Sequence, residues 1–268
     1  MPPQRLKDER GGRYYRVQDR LLPSVTNILS AVGKPALIGW AAKTERELCL
    51  SAACALWDEA PVGVRMSAMA YRATLEARIG KQKAHQRELT KAGEIGTQVH
   101  GLIEWNIRKE LGLPVKEQPK ISDAAQWAFM AWEDWKKQAN LRPLAAEQTV
   151  WSLRHGYAGT MDLLAEVDVV GAGRVTAVLD WKTGKAVYGE ALLQNAAYVH
   201  ALCEMTLATP PVHGLIVRLP KVESDPAFEV KHVQAGEQDE LLQVFLAARD
   251  LWRWQQVEQG EAPEVARA

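Results

Sequence analysis

Gly159-Thr160-Met161-Asp162 and, eighteen residues after that aspartate, Asp180-Trp181-Lys182-Thr183-Gly184-Lys185 are the stretches whose reading decides this fold. Each aspartate follows an apolar run, and Gly171-Ala172-Gly173 between them reads as a hairpin turn. The segments Gly159–Val170 and Arg174–Trp181 are therefore predicted as antiparallel strands. Side chains alternate along a strand, so Asp180 and Lys182 share a face while Trp181 points into the core. Pairing across the turn brings Asp162 near Asp180. Two carboxylates converging in a partly dry cleft repel each other, and a cation offsets that repulsion. Carboxylate and water ligands without cysteine suit Mg²⁺ or Mn²⁺. Such an ion generates hydroxide and polarises a phosphoryl oxygen; a second ion, about 4 Å away, stabilises the leaving oxygen. Lys182 would orient the attacking water or neutralise the phosphorane. The plainer alternative is a solvated strand end carrying a surface ion pair. The apolar runs, the Gly-x-x-Asp and a trailing Gln194-x-x-x-Tyr198 weigh against it.

Working outward, Ala146–Leu153 is a third strand, joined through Arg154-His155-Gly156. A helix is predicted over Ala191–Leu207, strands over Val212–Leu219 and Phe228–Val233, and a last helix over Glu237–Glu258. Leu241, Leu242, Phe245, Ala248 and Trp252 form the apolar stripe of that helix. Upstream, Tyr14–Val17 and Arg20–Leu22 read as a hairpin, Ser24 as an N-cap, and Leu37–Trp57 as a helix broken by Pro61-Val62-Gly63. A basic helix is expected from Ser67 to about Thr90, then a second from Thr97 to Leu111, with Gly93 and Gly96 between them. Ser122 caps a helix to about Asn140 whose apolar face carries Ala124, Trp127, Ala128, Ala131 and Trp135. Residues 1–11 are charged and read as frayed. The order is helices, then β-β-β-α-β-β-α, which makes an α/β core with a mixed sheet.

The 268 residues are 47% hydrophobic and 25% charged, enough for a sizeable core. Lysine plus arginine balance aspartate plus glutamate at 33 each, which argues against a general nucleic-acid coat and leaves room for a local groove. Seven basic residues against two acidic between Gly63 and Lys91 mark such a region: Arg65, Arg72, Arg78, Lys81, Lys83, Arg87 and Lys91. No apolar run approaches the roughly 18 residues of a membrane span, and the N-terminus has no secretory h-region, so a cytoplasmic location is expected. Cys49, Cys54 and Cys203 form no disulfide framework or metal set and read as small apolar residues.

Residues 147–198 resemble the PD-(D/E)XK nuclease superfamily, in the exonuclease branch that includes the RecB nuclease domain. The resemblance implies a restriction-endonuclease-like core: a central mixed β-sheet flanked by helices, here with an N-terminal helical region. Asp162 matches the first acidic motif, Asp180 and Lys182 the D/E-x-K motif, and Gln194 and Tyr198 the Gln-x-x-x-Tyr motif that contacts DNA and buttresses the site. Gly96-Thr97-Gln98-Val99-His100, with Glu104 one turn on, resembles the upstream G-x-x-x-H-x-x-x-E helix. That similarity makes His100 a metal ligand beside Asp162 and Asp180. Glu104 either holds the imidazole or makes an ordinary i,i+4 contact, and Glu147 sits where the family often has an acidic residue on the first core strand. Pro23-Ser24-Val25-Thr26, Leu37 and Trp40 resemble the start of phage-encoded and mitochondrial genome maintenance-type exonucleases. Cluster-bearing relatives need four cysteines, three after the core, so no iron–sulfur cluster is expected.

These features imply a Mg²⁺- or Mn²⁺-dependent deoxyribonuclease with an N-terminal DNA-engaging region over residues 1–92 and a nuclease core over 93–268. Its implied partner is DNA, single-stranded or with free ends, with a recombination partner protein as a further candidate. Arg72, Arg78, Lys81, Lys83, Arg87 and Lys185 are the expected phosphate contacts; for the charge run, a solvated helix face is the competing account. Most of the ten tryptophans, including Trp127, Trp135, Trp181 and Trp252, fall on apolar faces and read as core; an exposed Trp132 or Trp254 would offer a base-stacking platform, a role favoured for neither. An endonuclease of the same fold and a catalytically inactive DNA-binding module are the alternatives. The latter would lack a carboxylate or the lysine, and all three are present.

Overall fold

The meander expected between Ala146 and Trp181 is the frame of the structure, a computed structural model that describes residues 3–7, 12–60, 66–205, 207, 211–222, 224–225 and 227–258. Strands β4 (Arg142–Ser152), β5 (Tyr157–Val169) and β6 (Gly173–Lys182) pair antiparallel in sequence. Gly171 and Gly173 carry the β5–β6 turn at φ of 80° and 72°, a region costly for any residue with a Cβ. The chain then crosses over through α6 (Gly189–Glu204) to β7 (His213–Arg218), which lies parallel to β6. Such a parallel pair requires a crossover of this kind. Strand β8 (Glu229–Val233) returns antiparallel, giving one mixed sheet ordered β4-β5-β6-β7-β8.

Helices cover both faces of the sheet. On one face, Val99, Leu102, Ile103 and Ile107 of α4 (Ala84–Glu110) and the buried stripe of α5 (Asp123–Gln138) pack on Leu163, Ala165, Leu179 and Trp181. On the other, α1 (Val25–Leu29), α6 and α7 (Gln238–Glu258) enclose Tyr157, Met161, Leu164 and Val178. The side-chain alternation of β5 breaks between Met161 and Leu163, which belong to opposite cores despite their even spacing. Asp162 sits at that break.

The N-terminal residues make a second sheet, β1 (Gln4–Lys7), β2 (Arg13–Val17) and β3 (Arg20–Pro23), all antiparallel. The β2–β3 hairpin is the one expected. Strand β1 is a correction to the frayed terminus: Leu6 pairs with Tyr14 and packs into the α6–α7 core, which orders a segment read as only charged. Ser24 caps α1 as anticipated, accepting the Asn27 N–H at 3.0 Å, a contact worth about 1 kcal/mol.

The chain divides into two units, Gly33–Glu94 and the remainder, the latter holding residues 1–32 together with the five-stranded sheet. Gly33–Glu94 holds α2 (Pro35–Glu59), α3 (Ala68–Ile79) and the start of α4. The single basic helix expected to Thr90 is two helices, because Gly80 adopts φ of 77° and ends α3. Helix α4 in turn runs unbroken through Gly93 and Gly96. A glycine in a helix costs about 1 kcal/mol relative to alanine, and the buried residues of α4 outweigh that. The apolar face of α5 is rotated from the expected one: Ala125, Ala128, Phe129, Trp132 and Trp135 are buried, and Trp127 is exposed. Pro61–Gly63 and Arg65 lie outside the described residues.

Candidate active site

The β5–β6 ladder begins at Val169↔Gly173 and ends at Leu163↔Leu179, one pair short of the two aspartates. There the strands fork. The N–H of Trp181, which a continued ladder would give to a backbone carbonyl, donates instead to Asp162 Oδ2 at 2.9 Å. His100 closes the other side of the same residue: its Nε2–H donates to the Trp181 carbonyl at 2.9 Å. A carbonyl only accepts, so the proton is fixed on Nε2 and Nδ1 faces Asp162 Oδ2, 3.4 Å away. Trp181 itself is packed among Trp132 and Trp135, so both backbone groups that position Asp162 and His100 are anchored in the core. Helix α4 comes this close because Gly96 has no side chain; a Cβ there would lie 3.2 Å from Thr183 Oγ1.

Asp180 is 1% exposed. Its Oδ1 accepts from Gln194 Nε2 at 2.9 Å, and its Oδ2 lies 2.5 Å from Lys182 Nζ. That ion pair is close but off the angle of a directed hydrogen bond, so Oδ2 keeps an unused lone pair. Gln194 ties the group together: its Oε1 accepts from Lys182 at 3.4 Å and its Nε2 also reaches the Tyr198 hydroxyl at 3.3 Å. The Tyr198 ring lies against Gly159, where an added Cβ would sit 2.3 Å from Cε1.

Facing Asp162 from β4 is Glu147, between the registered pairs Ala146↔Leu163 and Gln148↔Met161. Its φ of 49° is left-handed, an unusual and strained setting for a non-glycine residue inside a strand. No hydrogen bond or ion pair engages its carboxylate among the described residues.

The electrostatics follow from burying these groups together. Burial and the neighbouring Asp162 raise the Asp180 carboxyl, against the pull of Lys182. Burial opposes ionisation of Asp162 too, but His100, the Trp181 N–H and Lys182 hold it below the usual carboxylate range. Burial alone would lower His100; the Asp162 charge and hydrogen bond reverse this and bring it to about 9. Burial, Asp162 and Glu104 raise Glu147 to about 7. Lys182 loses some basicity to burial and regains more from Asp180 and Asp162. The site is thus a dense carboxylate cluster whose counter-charge is one ammonium and one imidazolium.

Among the described residues, no three His, Cys, Asp or Glu side chains already converge as a ligand set. The donor chemistry nonetheless fits a hard divalent cation. Asp162 and Asp180 offer buried carboxylate oxygens, one without a directed hydrogen bond. The fixed tautomer of His100 leaves Nδ1 as a lone-pair donor once its second proton is lost.

Other expected residues stand apart from this group. Glu104 does not hold the imidazole; it pairs with Arg108 at 3.5 Å, one turn further on. Lys185 is exposed beyond β6; burial first, and the Lys185 charge after it, lower the nearby Lys221, a cation that sequence reading passed over because no motif marks it. Arg72 is paired with Glu76 and Arg78 with Glu59, whereas Lys81, Lys83 and Arg87 are exposed with no ion pair among the described residues. All five belong to the Gly33–Glu94 unit. Trp132 is buried and unsuited to base stacking; Trp254 is 60% exposed.

No curated protein gave a significant match to the chain. A protein-family model, that of the PD-(D/E)XK nuclease superfamily, matches residues 64–267, a span that contains every motif residue of the site. With the five-stranded mixed sheet flanked by helices and the Asp162, Asp180, Lys182 cluster at the fork of its central strands, that match makes the chain a member of the PD-(D/E)XK nuclease superfamily.

Proposed function

We propose that the chain is a Mg²⁺- or Mn²⁺-dependent DNA exonuclease acting on single-stranded or resected ends, of the RecB-like and phage or mitochondrial genome maintenance-type branch. It would serve recombination, repair or phage DNA processing. The observation that carries this reading is the linked set of Asp162, Asp180, Lys182, Gln194 and Tyr198, with His100 on the far side of Trp181. His100, Asp162 and Asp180 would hold the ion. When bound, it supplies a water of lowered pKa and Lewis-acid polarisation of the phosphoryl oxygen.

The chain's own residues do the positioning. Lys182, kept charged by two carboxylates, faces the space beside Asp180 and neutralises charge that develops on the phosphoryl oxygens. Gln194 holds Asp180 and Lys182 in fixed relation, so neither must reorganise as the substrate arrives. Tyr198, backed against Gly159, fixes Gln194 in turn. His100 sets the height of Asp162 through the Trp181 backbone. Lys81, Lys83 and Arg87, exposed cations of the helical unit with no ion pair among the described residues, would draw in the phosphate backbone.

The test is cleavage of an end-labelled single strand with Mn²⁺, run beside a covalently closed single-stranded circle. An exonuclease degrades the first and leaves the second intact, and Asp180→Ala abolishes the activity. Cutting of the circle would replace this reading with the endonuclease alternative. No cleavage of either by the wild-type protein would leave only a non-catalytic DNA-binding role.

A further inference from the structure

We infer that the N-terminal sheet carries a second phosphate-binding surface, built from Arg5, Lys7 and Arg13, for the strand of nucleic acid that extends away from the Asp162–Asp180 site. The inference rests on the nuclease reading above and adds a substrate-holding surface to it.

The register of the small sheet places the three cations together. Arg5 lies opposite Tyr15, and Lys7 opposite Arg13. Directly opposed residues share a face, as do residues two apart on one strand. Arg5, Lys7, Arg13 and Tyr15 therefore line one side of the sheet. The direction of that side is fixed by Tyr15, which is 1% exposed and whose hydroxyl meets Thr160 Oγ1 at 2.9 Å. Thr160 is two residues before Asp162 on β5. Ser24 bridges to Ala158 in parallel and takes the Arg13 carbonyl through its N–H at 2.9 Å. Moving from Tyr15 to Arg13 along β2 thus runs in the same sense as moving from Ala158 towards Asp162. The Lys7–Arg13 pair lies at the end nearer the carboxylates, and the charge of Arg5, opposite Tyr15, is felt by Glu147.

Among the described residues, the charge on this face suits an anion. Arg5 and Lys7 are exposed and Arg13 half-buried, and none of their side chains makes an ion pair or hydrogen bond among the described residues; Asp8 and Glu9 lie outside them. Elsewhere on the surface most arginines are matched, as with Arg72–Glu76, Arg142–Glu166 and Arg174–Asp168. Three cations with no counter-charge among the described residues, beside the carboxylate cluster of the proposed nuclease site, fit the next phosphates of the same strand. A linear polyanion gains from each contact by releasing counterions.

The experiment is a salt titration of single-strand binding by fluorescence anisotropy, with the full chain, a labelled oligodeoxynucleotide and Ca²⁺ to prevent turnover. In Arg5→Gln/Lys7→Gln/Arg13→Gln, the slope of log K against log salt should fall by about 2, three contacts at about 0.7 each. Affinity at 0.1 M salt should fall about tenfold. Cleavage at saturating strand should stay at the wild-type rate. If the triple variant melts early, Arg5→Gln/Lys7→Gln, both fully at the surface, should show about two-thirds of the slope change. Arg16→Gln, on the opposite face of β2, should leave the slope nearly unchanged. A wild-type slope in the triple and double variants, or an equal loss in Arg16→Gln, overturns the inference. A wild-type protein that binds but never cleaves removes the nuclease reading, and the slope comparison still decides this one.

Discussion

The 25 residues of α2 bury one side chain, Ala52, and α3 buries none, whereas the 16 residues of α5 bury five. In Gly33–Glu94, Ile38, Leu50, Trp57 and Met69 stand in solvent, Trp57 at 78% and Met69 at 84% exposure. Local forces hold that unit: the Arg78–Glu59 and His85–Glu45 pairs, the Tyr71 hydroxyl on the Ala53 carbonyl, and an alanine-rich helix. Exposed pairs of this kind contribute about 0–1 kcal/mol each. The sheet-bearing unit has two large apolar cores and buries several polar side chains, Ser152, Asn195 and Arg218 among them, with the charged Asp180 at the strand fork. One unit is organised to hold a few groups rigidly, and the other presents surface. Rigid placement is what a charge-stabilising site needs; an open, cation-bearing surface suits a long, variable polymer.

Five outcomes would break or sharpen that contrast. Asp180→Ala and Lys182→Ala should each lower the cleavage rate by about 10³ or more while the protein still melts cooperatively. Wild-type initial rates in either variant would separate the fork from the chemistry. Trp181→Ala should cost about 3–5 kcal/mol in denaturant unfolding, because it empties the core under the site. A third outcome concerns the charge stored at the fork. Glu147 is raised from an ordinary 4.5 to about 7, so ionising it in the folded chain is unfavourable. Its protonated form favours the fold, and stability drains as pH rises from 4.5 through 7. Glu147→Gln should therefore stabilise chelator-treated protein by about 2 kcal/mol above pH 7, with the difference gone below pH 4. A pH-independent difference in melting would refute this. Lys81→Ala/Lys83→Ala/Arg87→Ala should weaken strand binding about tenfold in low salt and leave melting unchanged. Trp57→Ala should move stability by no more than about 0.5 kcal/mol; a cost near that of Trp181→Ala would mean the two units are built alike.

Most of the sheet was legible in the sequence. Period-two runs ending in Gly156, Gly171 and Gly173 mark the meander by local rules, and Ser24 before an apolar turn marks its helix. The helical errors have local causes too. Of Gly80, Gly93 and Gly96, only Gly80 ends a helix, and nothing in its neighbours distinguishes it from the other two. Their fates differ because α4 gains a core from Val99 onward and because Gly96 must admit Thr183. On α5 the choice between Trp127 and Trp132 depends on which face meets the sheet, and several alanines support either. At the site, motif spacing pointed to the residues that meet. It also brought Asp162 near Asp180 by pairing across the turn, without the fork at which the ladder stops. The fork, the left-handed Glu147 and the anchoring of His100 through Trp181 arise from cross-strand geometry, which spacing along one strand does not encode.

Gly159 and Tyr198 occupy the same few cubic ångströms from opposite ends of the site's sequence. A methyl group at 159 would collide with the ring. The two positions therefore cannot drift independently: a chain that gains a side chain at 159 must surrender the aromatic ring at 198, and with it the hydroxyl that steadies Gln194. Two motifs 39 residues apart are in this sense a single volume constraint, and Gly159→Ala should behave in activity assays like a lesion at Tyr198, although it alters no polar atom.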